Sequence, residues 1–376
     1  MRNTYISDTN CITPLGFDVA SNVAAIAQEI PGIRLHCNAS LSSFPFYASI
    51  IDDDLLNEAC SLTTYDAQLT RLEKMLVLAL KPLVESFAFT FNARVGFILS
   101  TTKGNIDLLD EVPLSPRAYL HSLAKTVASY FNFQTEPIVV SNACVSGIHA
   151  IAVAKRLIEA SVFDHVFVVA GDIVSKFVLA GFHSFKAMSM EPCKPFSVNR
   201  SGVTLGEAAA AVLVTIDPEK AKIKVVGAGS CNDANHISGP SRTGEGLVLS
   251  VESALKEAGL TAGSLDYISA HGTATVYNDE MEAIAFNSLG MENVPVNSFK
   301  GVYGHTLGAS GLLEAIIGIE SVQQNRLFRS FGFDESGVSS PINVIENLSE
   351  RKMSRFLKTA SGFGGCNTAV IFEKLS

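Results

Sequence analysis

Charge is scarce in this sequence: Asp, Glu, Lys and Arg make up 17% of the 376 residues, and the balance is acidic, at −9. A general nucleic-acid binder needs a basic face, so that class is excluded for the surface as a whole, although a local basic patch is not. No two of the seven cysteines (11, 37, 60, 144, 193, 231 and 366) have the C-x-x-C spacing of a zinc or redox site, and the count is odd. Free thiols in a reducing compartment are the simpler expectation. The opening MRNTYISDTN has no apolar core of a signal peptide, and no apolar run approaches the length of a membrane span. A cytoplasmic protein is expected. There is no low-complexity segment and no short-period repeat.

What is plentiful is apolar side chain, 47% of a chain too long for one small domain. Two structural halves in one body follow as the prior, in a layered α/β protein or an obligate oligomer. Short β-branched runs at 93–102, 137–143, 165–172, 207–216, 223–230, 265–271, 294–299 and 367–374 read as buried strands. Helical patterns at 18–29, 65–87, 116–131, 147–160, 246–259, 278–288 and 308–323 alternate with them. Such alternation predicts an α/β fold with largely buried sheets. PIVVSNACVSGIHAIAVAKRL and VPVNSFKGVYGHTLGASGLLEAI share one plan, strand then small-residue turn then helix. That echo fits a duplicated fold whose halves face each other.

Four segments carry side chains that can do chemistry. Cys144 in SNACVSGIHAI stands where a strand hands over to a helix, where unpaired N–H groups favour a thiolate; a buried inert cysteine is the alternative. His271 in HGTATVYNDEMEA closes a strand at the kind of sheet edge where ligands gather, or merely caps a turn. Asp279 and Glu280 fall in the first turn of the helix that follows. In KGVYGHTLGASG, Lys300 and His305 lie five apart in a loop after a strand. Glu314 follows inside an apolar helix, where a carboxylate needs a partner, and Lys300 is the nearest candidate. Finally, the glycines of SGFGGCNTAVIFE, before the last strand, could present N–H groups to an oxyanion.

Taken together and in this order, the segments resemble the β-ketoacyl–acyl-carrier-protein synthases of the thiolase superfamily, of the elongating Cys-His-His type. NACVSG resembles the nucleophile motif, HGTATVYND the first histidine motif, and SFKGVYGHTLGASGLLEA the lysine and second histidine motif. GFGGCN resembles the C-terminal loop, and PFSVNRSGVTLGEAAAAVLV a further family strand. The resemblance implies a thiolase fold, five layers αβαβα built from two similar halves, here 1–217 with the nucleophile and 218–376 with both histidines. It implies that Cys144 takes an acyl chain as a thioester, and that His271 and His305 bind the malonyl carbonyl and promote loss of CO2. Lys300 would hold His305 and Glu314 in a network. The N–H groups of Cys144 and Phe363 would form the oxyanion hole, and Thr273 and Thr275 would bind the phosphopantetheine arm. No metal or bound cofactor is implied.

The implied partners are an acyl carrier protein and a second like-folded subunit, in a homodimer or heterodimer. Arg71, Lys74 and Lys194 are candidates for docking the acidic carrier. The sequence departs from the family pattern at Ser7-Asp8, at Ala208 after Gly206-Glu207, in a trimmed stretch between 30 and 115, and at Ser361, where an aromatic ring is usual. These departures bear on substrate choice; the pathway is either primary fatty-acid synthesis or a specialised polyene, polyketide or pigment pathway, and the divergent N-terminal half favours the specialised one. Three competing readings remain: a chain-length-factor partner, which would lack the nucleophile; a cysteine hydrolase, which would not need the Lys300–His305 loop; and a thiolase-fold acyltransferase without decarboxylation.

Overall fold

The structure, a computed structural model, describes residues 2–61, 69–234 and 239–375. Eleven strands form its main sheet. In chain order they are β1 (Tyr5–Ile12), β2 (Val95–Ser100), β3 (Ile138–Val140), β4 (His165–Asp172), β5 (Ala208–Thr215), β6 (Ile223–Asn232), β7 (Tyr267–Ser269), β8 (Pro295–Asn297), β9 (Asn343–Val344), β10 (Arg355–Gly362) and β11 (Cys366–Lys374). The helices include α1 (Arg71–Glu85), α2 (Leu120–Tyr130), α3 (Ser146–Glu159), α4 (Lys176–Ser184), α5 (Glu245–Ala258), α6 (Val276–Ser288) and α7 (Ser310–Gln324); the helix expected at 18–29 is present as Val19–Ala27. The helix expected at 65–87 is α1; its first positions, 65–68, lie outside the described residues.

The sheet contains the same arrangement twice. One half is ordered β3-β2-β4-β5-β1 and the other β8-β7-β10-β11-β6, with β9 added beyond β8. Strand directions match as well. β4 runs parallel to β2 and antiparallel to β5, as β10 runs parallel to β7 and antiparallel to β11. The halves meet at a short seam where Tyr5 and Ile6 pair with Lys224 and Ile223. α3 and α7 lie against each other and touch strands of both halves, while α1 and α2 cover the outside of one half and α5 and α6 the outside of the other. Five layers result, αβαβα, as the thiolase resemblance implies.

Burial on both faces explains the long apolar runs. Along β5 the side chains alternate with period two. Ala208, Ala210, Val212 and Val214 enter the central core around α3 and α7, whereas Ala209, Ala211 and Leu213 enter the core under α1 and α2. The central helices approach closely because each has a glycine as its second residue. A Cβ on Gly147 would stand 2.7 Å from the Gly308 carbonyl, and one on Gly311 2.7 Å from the Ile148 nitrogen. That contact brings the two candidate loops, one ahead of each helix, to the same place.

Candidate active site

Cys144 sits on a tight elbow between β3 and α3. Ala143 takes the left-handed conformation at φ +44°, unusual for a residue with a Cβ. The elbow is braced by Ser146, whose hydroxyl donates to the Ala143 carbonyl at 2.5 Å and accepts the Asn142 N–H at 2.8 Å. The helix N-terminus suggests an acidic thiol, but burial dominates. It pushes Cys144 up to about 11, against the pull of Lys103 and Lys300. The resting thiol is therefore un-ionised at neutral pH.

His305 reaches it from the second half, with Nε2 3.0 Å from the Cys144 sulfur. Its loop is held by Thr204, whose carbonyl accepts the His305 N–H at 2.6 Å, and by Gly206, whose N–H donates to the His305 carbonyl at 3.0 Å. Gly304 turns the chain at φ +67°, where a Cβ would meet the Leu205 carbonyl at 2.5 Å. Asp172, at the end of β4, accepts the Gly308 N–H at 2.8 Å and also binds Thr101 and Thr102. Its carboxylate ties the His305 loop to the first half, a role the sequence reading missed.

His271 stands two residues beyond the end of β7. Glu282 accepts the N–H groups of His271 (2.7 Å) and Gly272 (2.6 Å), and Asp279 accepts that of Thr273 (2.9 Å). Asp279, which the sequence places only in the first turn of the following helix, thus anchors the loop, whereas Glu280 binds Ser339 at the surface. The His271 and His305 rings lie 5.4 Å apart, nearly perpendicular. The Lys300 ammonium lies 3.3 Å from His271 Nδ1. An ammonium only donates, so Nδ1 accepts and the ring proton is on Nε2. The Leu307 N–H donates to His305 Nδ1 at 3.3 Å, which selects the same tautomer. Burial, followed by Lys300, holds both rings well below the ordinary histidine range. The site therefore offers two neutral rings as Nε2–H donors.

Lys300 corrects one expectation. It binds Glu314 at 2.8 Å as proposed, but its ring contact is with His271, not His305. His305 Nδ1 instead has Ser310 at 3.0 Å. Lys358 was not anticipated at all: it is fully buried and 2.5 Å from the other oxygen of Glu314. The signal for it was a lysine directly after the apolar pair Phe356-Leu357 in RFLKTASG.

A cavity of about 420 Å³ joins Cys144, His271 and His305 to Thr273, Thr275 and Ser361. The two threonine hydroxyls are 2.8 Å apart. The Ser361 hydroxyl donates to Asn367 Oδ1 at 2.7 Å. Phe363, partly exposed, stacks on Phe182 of α4, and the Phe182 ring meets His305 edge-on. This aromatic wall comes from a helix that the sequence reading did not find. Among the described residues, no group of three His, Cys, Asp or Glu could hold a metal ion, and no helix is long and apolar enough to cross a membrane.

The docking candidates stand apart from this cavity. Arg71 is a correction: it is mostly buried, paired with Glu207 and Asp53, and it donates to the Ile51 carbonyl at 2.5 Å, so its charge is engaged internally. Lys74 binds Asn57 at 2.9 Å, and Lys194 lies 3.7 Å from Glu191.

Comparison with known proteins agrees with this geometry. Residues 101–219 match the model of the β-ketoacyl synthase N-terminal domain and 223–334 that of its C-terminal domain. A 3-oxoacyl-[acyl-carrier-protein] synthase 2 of Vibrio harveyi is 30% identical, with the alignment covering 76% of each chain. The chain belongs to the β-ketoacyl synthase family. This synthase is also 29% identical to a putative mitochondrial 3-oxoacyl-[acyl-carrier-protein] synthase of Schizosaccharomyces pombe, over 100% of this chain and 99% of that one. Among solved structures, a chain from a ketosynthase in complex with its chain length factor, from Xenorhabdus doucetiae, superposes with a TM-score of 0.87 at 27% identity. It covers 100% of this chain and 98% of that one.

Proposed function

We propose that this synthase performs a decarboxylative condensation between an acyl group held on Cys144 and a malonyl thioester held on an acyl carrier protein. The observation that carries the reading is the pair of neutral Nε2–H donors in the Cys144 cavity. In the first half-reaction the Cys144 sulfur attacks the acyl thioester, the bond to the carrier sulfur breaks, and the thiol proton leaves with the carrier thiol. In the second, His271 and His305 donate to the malonyl thioester oxygen. The bond to the carboxylate breaks, CO2 departs, and the electron pair forms an enolate stabilised by the two donors. The enolate carbon attacks the acyl carbonyl, and Cys144 leaves as a thiolate that recovers a proton.

The N–H groups of Cys144 and Phe363 are proposed as the oxyanion hole. In support, a Cβ on Gly362 would stand 3.0 Å from the Cys144 nitrogen, so the loop lies against that amide. Thr273 and Thr275 are proposed to bind the phosphopantetheine arm, and Lys74 and Lys194 remain proposed carrier contacts. The boundary near 217 is proposed as the division between a nucleophile half and a histidine half. The test is release of CO2 from a labelled malonyl carrier by acylated enzyme, with a ketoacyl carrier as product; hydrolysis or acyl transfer without CO2 would reject the reading.

A like-folded second subunit is part of the proposal. Among the described residues, β3 ends its sheet with no partner on its outer edge, whereas its counterpart β8 is covered by β9. Such an edge invites strand pairing. Light scattering should show a dimer rather than a lone 40.0 kDa chain.

The specialised-pathway proposal rests on Ser361, which lines the cavity where related enzymes carry an aromatic ring. Ser361→Phe should suppress bulky or polyene primers and spare short saturated ones, since overpacking typically costs about 1–3 kcal/mol. A panel of acyl carriers checks this; equal loss on all primers, or none, would remove Ser361 as a specificity determinant.

A further inference from the structure

Lys358 lies within β10, is fully buried, and has no part in the steps above. Its ammonium donates to Glu314 Oε2 at 2.5 Å and to the carbonyls of Ala270 (3.0 Å) and Ser269 (3.2 Å). Lys300 has a similar set of contacts, donating to Glu314 Oε1 at 2.8 Å and to the His271 carbonyl at 2.6 Å. Two cations therefore share one carboxylate, and together they bind three successive carbonyls at the end of the strand that carries His271. One lysine would suffice to neutralise Glu314. A buried charge beyond that is costly unless oxygen ligands compensate it, and here strand carbonyls do so.

We propose that Lys358 is a positioning residue for the condensation: by sharing Glu314 it leaves the lysine cluster with a net positive charge, which holds His271 as a neutral Nε2–H donor. The inference rests on the condensing reading above. The ionisable groups around His271 are Lys300, Lys358, Glu314, His305 and Cys144, with Glu282 and Asp279 binding the backbone N–H groups of its loop. Lys300, His305 and Lys358 all act on His271 in the same direction as burial, against protonation. Removing one cation should weaken that bias while leaving an ordinary Lys300–Glu314 pair.

The test uses Lys358→Met and Lys358→Gln in the full chain. Gln keeps a donor toward the strand carbonyls without the charge, so the pair separates charge from geometry, and Gln carries the test should Met fail to fold. The direct readout is the pH titration of 15N-labelled His271. It is expected to move upward in both variants. The acidic limb of CO2 release should move with it, so that kcat falls on the acid side of the profile, with an unchanged KM for the malonyl carrier and retained acylation of Cys144. An unmoved His271 titration in a folded variant would overturn the proposal, even with activity reduced, because a purely structural lysine predicts that result. Absence of CO2 release by the unaltered protein would instead overturn the condensing reading, leaving the titration to judge the charge effect separately.

Discussion

Replacing Cys144 with alanine is expected to abolish acyl-enzyme formation completely, with no radiolabelled acyl group retained after denaturation. Six other cysteines remain in such a variant, and two of them, Cys193 and Cys366, are buried near the site. Neither can substitute. Cys193 directs its sulfur at the Lys300 carbonyl (3.1 Å), and Cys366 at those of Phe363 (3.4 Å) and Asn142 (3.7 Å). Burial pushes each of these thiols up to about 11. The same holds for Cys144, so pKa does not single it out; what does is His305 Nε2 at 3.0 Å and the open cavity in front of it. A nucleophile raised by burial gains ionisation only as charge develops, when the imidazole donor can stabilise the forming thiolate. A second measurement follows from the sign of that shift. Alkylation of Cys144 by iodoacetamide should keep rising with pH toward about 11 rather than level off near neutrality. A labelled acyl group on the Cys144→Ala variant would defeat the assignment of the nucleophile.

Cys144, His271 and His305 were legible in the sequence as candidate site residues because each stands where a strand ends and a helix follows, a position marked by small residues and short apolar runs. Partnerships between distant residues were not. Lys300 was matched to His305, five positions away, whereas its ring partner is His271. The cause is topological: β7 and β8 are parallel neighbours with Ser269 opposite Asn297, so the residues after each strand emerge side by side. Arg71 seemed a surface charge because nothing local reveals Glu207, its partner from another element. β10 was overlooked because Lys358 and Thr359 interrupt its apolar run, although both are buried. α4 was overlooked because it is short, and with it went Phe182. In β10 and α4 the tertiary environment, not local pattern, gives the residues their role.

His305→Ala should leave acylation of Cys144 measurable and reduce CO2 release from the malonyl carrier by about 10²–10³, the usual cost of one lost donor to a developing oxyanion. The two half-reactions are assayed separately, by acyl label on the protein and by released 14CO2. The geometry supports the split. His305 touches the sulfur, but the thiol proton can leave with the carrier thiol, so acylation does not require a base at that position. Decarboxylation has no comparable substitute: with His305 removed, only His271 can donate to the enolate. Removing both histidines should cost little more than removing one if the pair acts as a unit. Lys300→Ala offers the contrast. Glu314 would keep Lys358 as a partner, so the buried carboxylate is not stranded, and the fold should survive. His271 would lose the ammonium that fixes its tautomer, so decarboxylation should fall while acylation falls less. Undiminished CO2 release from His305→Ala would show that His305 serves only to position the Cys144 loop, and the two-donor account of the enolate would have to be abandoned.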